Sequence, residues 1–173
     1  QINLGAITDL KVAQISAWLN ERKQDAAQTA NDPLLIGEFE HWLQQSAPAD
    51  ARRARIVQHL ESIRRAYGYD AVLLLDQNGA PLLASDANAS PPSALGVAAA
   101  RKAMRAHQVV IYDIGYGESG GRRVASLEFV AALSPAPGGN RRLGAILLRV
   151  DPARLLFPLI QSWPAPSASV CGE

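Results

Sequence analysis

The chain has a single cysteine, Cys171, in 173 residues. One thiol cannot form an internal disulfide, and no Cys/His spacing of a zinc site accompanies it. Charge of one sign is missing too: the formal net charge is +1, too weak a field to draw the chain to nucleic acid or to an anionic membrane. No run approaches the roughly 18 to 20 uninterrupted apolar residues of a membrane span. No Gly-x-Ser-x-Gly nucleophile elbow, paired carboxylates or metal-ligand cluster stands out, and no cofactor is expected. No internal repeat is visible. The sequence opens Gln1-Ile2-Asn3 with neither initiator Met nor leader. The expectation is therefore an excised part whose targeting segment lies upstream.

Almost half of the residues, 48%, are hydrophobic, and 19% are charged. That is ordinary for a globular protein of about one domain. Leu4, Ile7, Leu10, Ile15, Trp18 and Leu19 recur at helical spacing, predicting one long helix over residues 1–30. At that length it would span roughly 45 Å. It either projects beyond the body or packs on another helix. Asp32 and Pro33 suit the cap and first position of a second helix, to about Gln45. A third helix runs from about Asp50 to Tyr67, with Gly68 as its C-cap.

The pattern then changes. Ala71–Leu75 is a short apolar run ended by Asp76-Gln77-Asn78-Gly79, a hairpin signal, with Ala80–Ser85 as the return strand. Ala94–Ala106 is helical. Three more strands follow, at 108–115, 123–134 and 142–150, and a short helix at 152–161. The order predicts an α+β fold: a long N-terminal helix, then a five-stranded antiparallel sheet flanked by helices. The division expected is 1–67 helical, 68–162 sheet module and 163–173 a poorly ordered tail.

Two strands joined by a tight turn, a connecting helix and three antiparallel strands resemble a PAS-like module. With a long helix in front, the chain resembles the Cache family of extracellular sensor domains of bacterial histidine kinases, diguanylate cyclases and chemoreceptors. The segments carrying the likeness are Lys11–Arg22, Tyr67–Gly79 and Arg142–Asp151. The first resembles the juxtamembrane helix of such modules, the second their first hairpin, and the third their last strand running into a short helix. The resemblance implies a periplasmic location, tethering to the inner membrane through the long helix, and a small-molecule pocket over the sheet. It also implies that a second module can follow the tail.

Tyr112 to Arg123 packs aromatic, acidic and basic side chains among four glycines. Pockets combine apolar walls with a few placed polar groups. Tyr112, Asp113 and Tyr116 are candidates to line one, with Arg122 or Arg123 meeting a ligand carboxylate and Asp113 an ammonium. The alternative is a hairpin turn with solvated charges. Gly115-x-Gly117-x-x-Gly120 matches a dinucleotide pattern, but a strand follows where that motif needs a helix. Glu128, a charge inside an apolar strand, faces either the pocket or solvent. Tyr69 is a weaker pocket candidate. His41, His59 and His107 are scattered over different elements.

Three functions fit. The first is a sensor that binds a small molecule, such as an amino acid or a carboxylate, and relays the signal through membrane-connected helices as a homodimer paired along the long helix. The second is a structural dimerisation module with no ligand. The third is a small hydrolase with an unrecognised site. No nucleic-acid partner is expected, and any kinase or cyclase chemistry would reside in another domain of the full-length protein.

Overall fold

The computed structural model describes residues 4–45, 50–119, 122–136 and 139–161. The expected tail at 163–173 lies outside them. The elements are α1 (Leu4–Ala30), α2 (Pro33–Gln44), α3 (Asp50–Tyr67), β1 (Ala71–Leu75), β2 (Pro81–Ala84), α4 (Ala94–Ala106), β3 (Val110–Ser119), β4 (Arg122–Leu133), β5 (Gly144–Val150) and α5 (Pro152–Gln161). The strands form one antiparallel sheet in the order β2-β1-β5-β4-β3. The α+β architecture expected from the residue pattern is the one observed.

Helices cover both faces of this sheet. On one face, Val72, Leu74, Phe129, Ile146 and Leu148 pack against Ala26 and Ala30 of α1, Leu35 and Phe39 of α2, and Ile56 and Leu60 of α3. On the other, Leu73, Leu75, Val130 and Leu147 pack against Ala99, Ala100, Ala103 and Met104 of α4. This explains the continuous apolar runs of β1 and β5, whose residues are all buried. A strand covered on both sides has no solvent face to alternate with.

Local chemistry sets the helix ends. Asp32 accepts from the Leu34 N–H at 2.9 Å, with Pro33 behind it at the first helical position. Gly68 sits at φ +70, and the Tyr69 N–H reaches the Arg64 carbonyl at 2.9 Å. That six-to-one bond closes α3 in a Schellman motif, whose left-handed residue glycine adopts without strain. At the end of α4 the left-handed residue is His107, φ 56. The Arg142 guanidinium contacts its ring and donates to the Met104 carbonyl and to Ser134 Oγ, tying the end of α4 to the connection before β5.

The long first helix packs on the sheet by its C-terminal half. Trp18 meets Phe129 edge-on, with ring centroids 6.2 Å apart. Toward its N-terminus most side chains are exposed, Leu10 and Val12 at 57% each. Among the described residues no helix is long and apolar enough to cross a membrane.

The strands around the glycine-rich segment run further than the sequence pattern suggests. β3 continues through Gly115 and Gly117 to Ser119, and β4 starts at Arg122. Gly115 pairs with Ser126 and Gly117 with Val124, so ladder pairing carries the ribbon through glycines that weaken a strand without forbidding it. The register shifts between Tyr112 and Gly115, so Asp113 and Ile114 together stand against one residue of β4, as in a β-bulge.

Candidate functional site

The register carries a row of residues across the α4 face: Ala71 of β1 opposite Arg149 of β5, Arg149 opposite Glu128 of β4, and Glu128 opposite Tyr112 of β3. Directly opposed side chains on one face of an antiparallel sheet touch. Two of these four carry charge and both are buried, the Arg149 side chain 10% exposed and that of Glu128 4%.

The two charges hold each other. Arg149 donates to Glu128 Oε1 from Nε at 2.9 Å and from a terminal nitrogen at 2.7 Å. Its other terminal nitrogen donates to the Ser90 carbonyl at 2.8 Å and to Ser90 Oγ at 3.0 Å, and the Pro91 carbonyl lies 3.4 Å away. The connection from β2 to α4 is thereby fastened over the row. A buried charge needs such partners, because removing it from water otherwise costs several kcal/mol.

The N-terminus of α4 closes the other side. Ser93 caps the helix, accepting from the Gly96 N–H at 3.1 Å. A Cβ on Gly96 would fall 2.6 Å from Glu128 Oε2. A side chain at position 96 would force that carboxylate to shift. Oε2 itself is buried and has no hydrogen-bond partner.

The row lies where the sheet narrows. β4 pairs with β5 only from Leu127 onward, and residues 122–126 pair with β3 alone, as a two-stranded ribbon reaching past the end of β5. Of the residues singled out in the sequence, Tyr112 and Glu128 meet in the row. Asp113 lies in the bulge beside it, Tyr116 opposite Ala125, Arg123 opposite Glu118 and Arg122 opposite Ser119 along the ribbon. The side chains of these four lie outside the described residues. Tyr69 is in the other layer, buried among the α1–α3 side of the core. Its hydroxyl donates to Asp25 Oδ2 of α1 at 3.4 Å, and burial pushes its ionisation upward. Beside it, burial raises the carboxyl of Asp70 above the usual range, against the pull of Arg154.

Arg149, Ser90 and Gly96 were not among the sequence candidates. Arg149 carries the same mark as Glu128, a charge within an apolar strand. Ser90 lies in Asn88-Ala89-Ser90, which reads as a polar loop. A separate shallow groove of about 100 Å³ lies on the helical side, between Leu34, Leu35, Glu38, Arg55, Ile56 and His59. Its charges are already engaged with one another, Glu38 with Arg52 and Arg55, and His59 with Asp32. Among the described residues no three His, Cys, Asp or Glu side chains gather as metal ligands.

No family model and no curated protein matches the sequence. Solved structures match the fold. The sensor domain of the V. cholerae histidine kinase DctB superposes with a TM-score of 0.67 at 20% identity, over 92% of this chain and 57% of that one. The sensory domain of the Campylobacter jejuni chemoreceptor Tlp3, with isoleucine bound, gives 0.64 at 12% identity, over 91% of this chain and 61% of that one. The ligand-binding domain of the Pseudomonas aeruginosa PAO1 amino acid chemoreceptor PctC, in complex with GABA, gives 0.56 at 19% identity, over 90% and 66%. The chain thus spans about six-tenths of the length of these structures. Its fold is that of receptor sensor domains, the fold implied by the resemblance to the Cache family.

Proposed function

We propose that the chain is the extracytoplasmic ligand-sensing domain of a bacterial transmembrane receptor. A small molecule binds on the α4 face, and the change is relayed through α1 toward the membrane. One observation carries this reading: a buried, charged row, Arg149–Glu128–Tyr112, built at the root of the β3–β4 ribbon and covered by the Ser90 loop and the start of α4. An apolar layer with a few convergent polar groups is what small-molecule sites consist of. Two of the similar sensor domains named above were solved with isoleucine and with GABA.

On this reading Tyr112 and Glu128 form the floor, and Asp113, Tyr116, Arg122 and Arg123 supply the ribbon wall. Residues 68–162 are the binding module and 1–67 the relay, carried in a homodimer paired along α1 and tethered to the inner membrane. The role of the domain is binding, and output chemistry belongs to another part of the receptor. A ligand-free dimerisation module is the second reading, favoured by the exposed Leu10 and Val12 of α1.

The test is a thermal-shift screen of the purified chain against amino acids, small carboxylates and polyamines. A ligand at a hundredfold excess over its dissociation constant adds about 2.7 kcal/mol. That corresponds to a rise of about 5–10 °C for a chain of this size. A hit lost on Tyr112→Ala supports the sensor, whereas a silent panel together with a stable dimer in sedimentation favours the second reading.

A further inference from the structure

The hydrogen-bond inventory of the charged row sets which ligand chemistry it accepts. A guanidinium has five N–H donors and no acceptor. Those of Arg149 are taken up by Glu128 Oε1, twice, by the Ser90 carbonyl, Ser90 Oγ and the Pro91 carbonyl. Arg149 therefore has no donor left for a ligand carboxylate. Two N–H groups at the start of α4 are engaged as well. The Gly96 N–H donates to Ser93 Oγ, and the Val97 N–H to the Ser93 carbonyl. The free valence of the row is an acceptor, Glu128 Oε2, buried and without a partner. An unpaired buried carboxylate oxygen costs more than a neutral group left unpaired, so what completes the row is a donor, and a cationic one gains most.

Two features border that oxygen. Gly96 packs against it, so that a Cβ there would fall 2.6 Å from Oε2. Tyr112, half-buried and directly opposite Glu128 across β3 and β4, offers an aromatic side chain beside it. A ring there suits both the alkyl chain and the charge of an amine.

We propose that the ligand of this site is a protonated alkyl amine whose ammonium donates to Glu128 Oε2, and that a carboxylate on the ligand is dispensable. The inference rests on the sensor reading of the α4 face and narrows its ligand class. It moves the ammonium contact from Asp113, where the sequence grouping placed it, to Glu128, and dispenses with the carboxylate that Arg122 or Arg123 was expected to meet.

Three probes of similar length separate the possibilities by titration calorimetry on the purified chain: putrescine, an amine at both ends; GABA, an amine and a carboxylate; and succinate, a carboxylate at both ends. Putrescine and GABA bind the wild type, and succinate does not. Glu128→Gln weakens putrescine at least about tenfold, the scale of one charge-assisted hydrogen bond. If that variant fails to fold, Gly96→Ala carries the test. Alanine favours the helix, and its methyl displaces the carboxylate oxygen, so putrescine affinity falls while α4 stays formed. Succinate binding as tightly as putrescine overturns the amine assignment and leaves the sensor reading intact. Unchanged putrescine affinity in both variants overturns the assignment to Glu128. If all three probes are silent while the broad screen yields a carboxylate, the amine inference alone falls. If the screen is silent too, both fall.

Discussion

The buried pair Arg149–Glu128 lends itself to a double-mutant cycle whose outcome follows from its geometry. Glu128→Leu removes the acceptor of two of the five guanidinium bonds and leaves Arg149 its bonds to Ser90 and Pro91. Arg149→Met is harsher. It strips both donors from a carboxylate whose second oxygen has none to begin with. Breaking a buried pair from one side costs about 3–5 kcal/mol. Glu128→Leu belongs at the low end of that range and Arg149→Met at the high end. The double variant makes the row apolar at similar volume and frees the Ser90 loop to meet water, so its cost stays well below the sum of the two. A coupling of about 2–3 kcal/mol is expected, since residues in direct contact couple by up to about that much. Urea unfolding followed by circular dichroism measures all four corners, provided the slope is unchanged across them. The reasoning fails if each single variant costs less than about 1 kcal/mol, the behaviour of a solvated pair. It fails equally if the two effects add to within about 0.5 kcal/mol.

Three further outcomes follow from the fold. Phe129, fully buried and in edge contact with Trp18, joins the sheet to α1; Phe129→Ala should cost about 3–5 kcal/mol, and a loss under about 1 kcal/mol in the same urea assay would mean that α1 does not dock there. Gly68→Ala meets open space but keeps φ +70, so it should lose about 1–2 kcal/mol of backbone energy, and no change in melting temperature would contradict the Schellman closure of α3. Glu61 is held down to about 2 by the Arg64 hydrogen bonds, with Arg65 adding to them. Its folded value lies below its unfolded one, so its contribution is present above about pH 4.5 and disappears as pH falls toward 2. Melts of wild type and Glu61→Gln should therefore differ at neutral pH and converge in acid, and a gap that stays constant down to pH 2 would refute the ion pair.

Helices and strands were legible in the residues wherever one local signal decides them. Asp32-Pro33 announces the start of α2, and Gly68 the end of α3, because capping is chemistry within a few neighbouring residues. The bounds of α4, Ala94–Ala106, were legible too, but the manner of its closing was not. Its left-handed residue is His107, and nothing at that position distinguishes it from a helical histidine until Arg142, far along the chain, packs on it. The bulge at Asp113 was hidden for a related reason. A register shift belongs to a pair of strands, and one strand's sequence cannot state its partner's phase. Glu128 stood out as a charge in an apolar strand, but its face could not be chosen without knowing that β5 places Arg149 opposite it. The grouping of aromatic, acidic and basic residues led attention to the glycine-rich segment, while the charged groups that meet lie where β4 and β5 pair under the Ser90 loop.

The sheet itself joins the two layers that a sensor must couple. Arg149 presents its guanidinium to the α4 face, while its main-chain carbonyl accepts from the Asp70 N–H at 2.9 Å. The residue before Asp70 is Tyr69, which points into the opposite layer and reaches Asp25 of α1. Asp25 is in turn paired with Arg22 at 2.9 Å. Between the charged row and the long helix there are thus one backbone hydrogen bond, one peptide link and one side-chain contact. Close-packed interiors deform little, so a guanidinium displaced on one face strains β5 and β1 before anything else yields. The weakest link is the 3.4 Å bond from Tyr69 to Asp25, longer than an ordinary O–H···O hydrogen bond. A contact so loosely made can lengthen or tighten at small cost, whereas the all-buried strands on either side of it cannot. On the sensor reading proposed above, the Tyr69–Asp25 contact, rather than the sheet, is where a ligand's charge would become movement of α1.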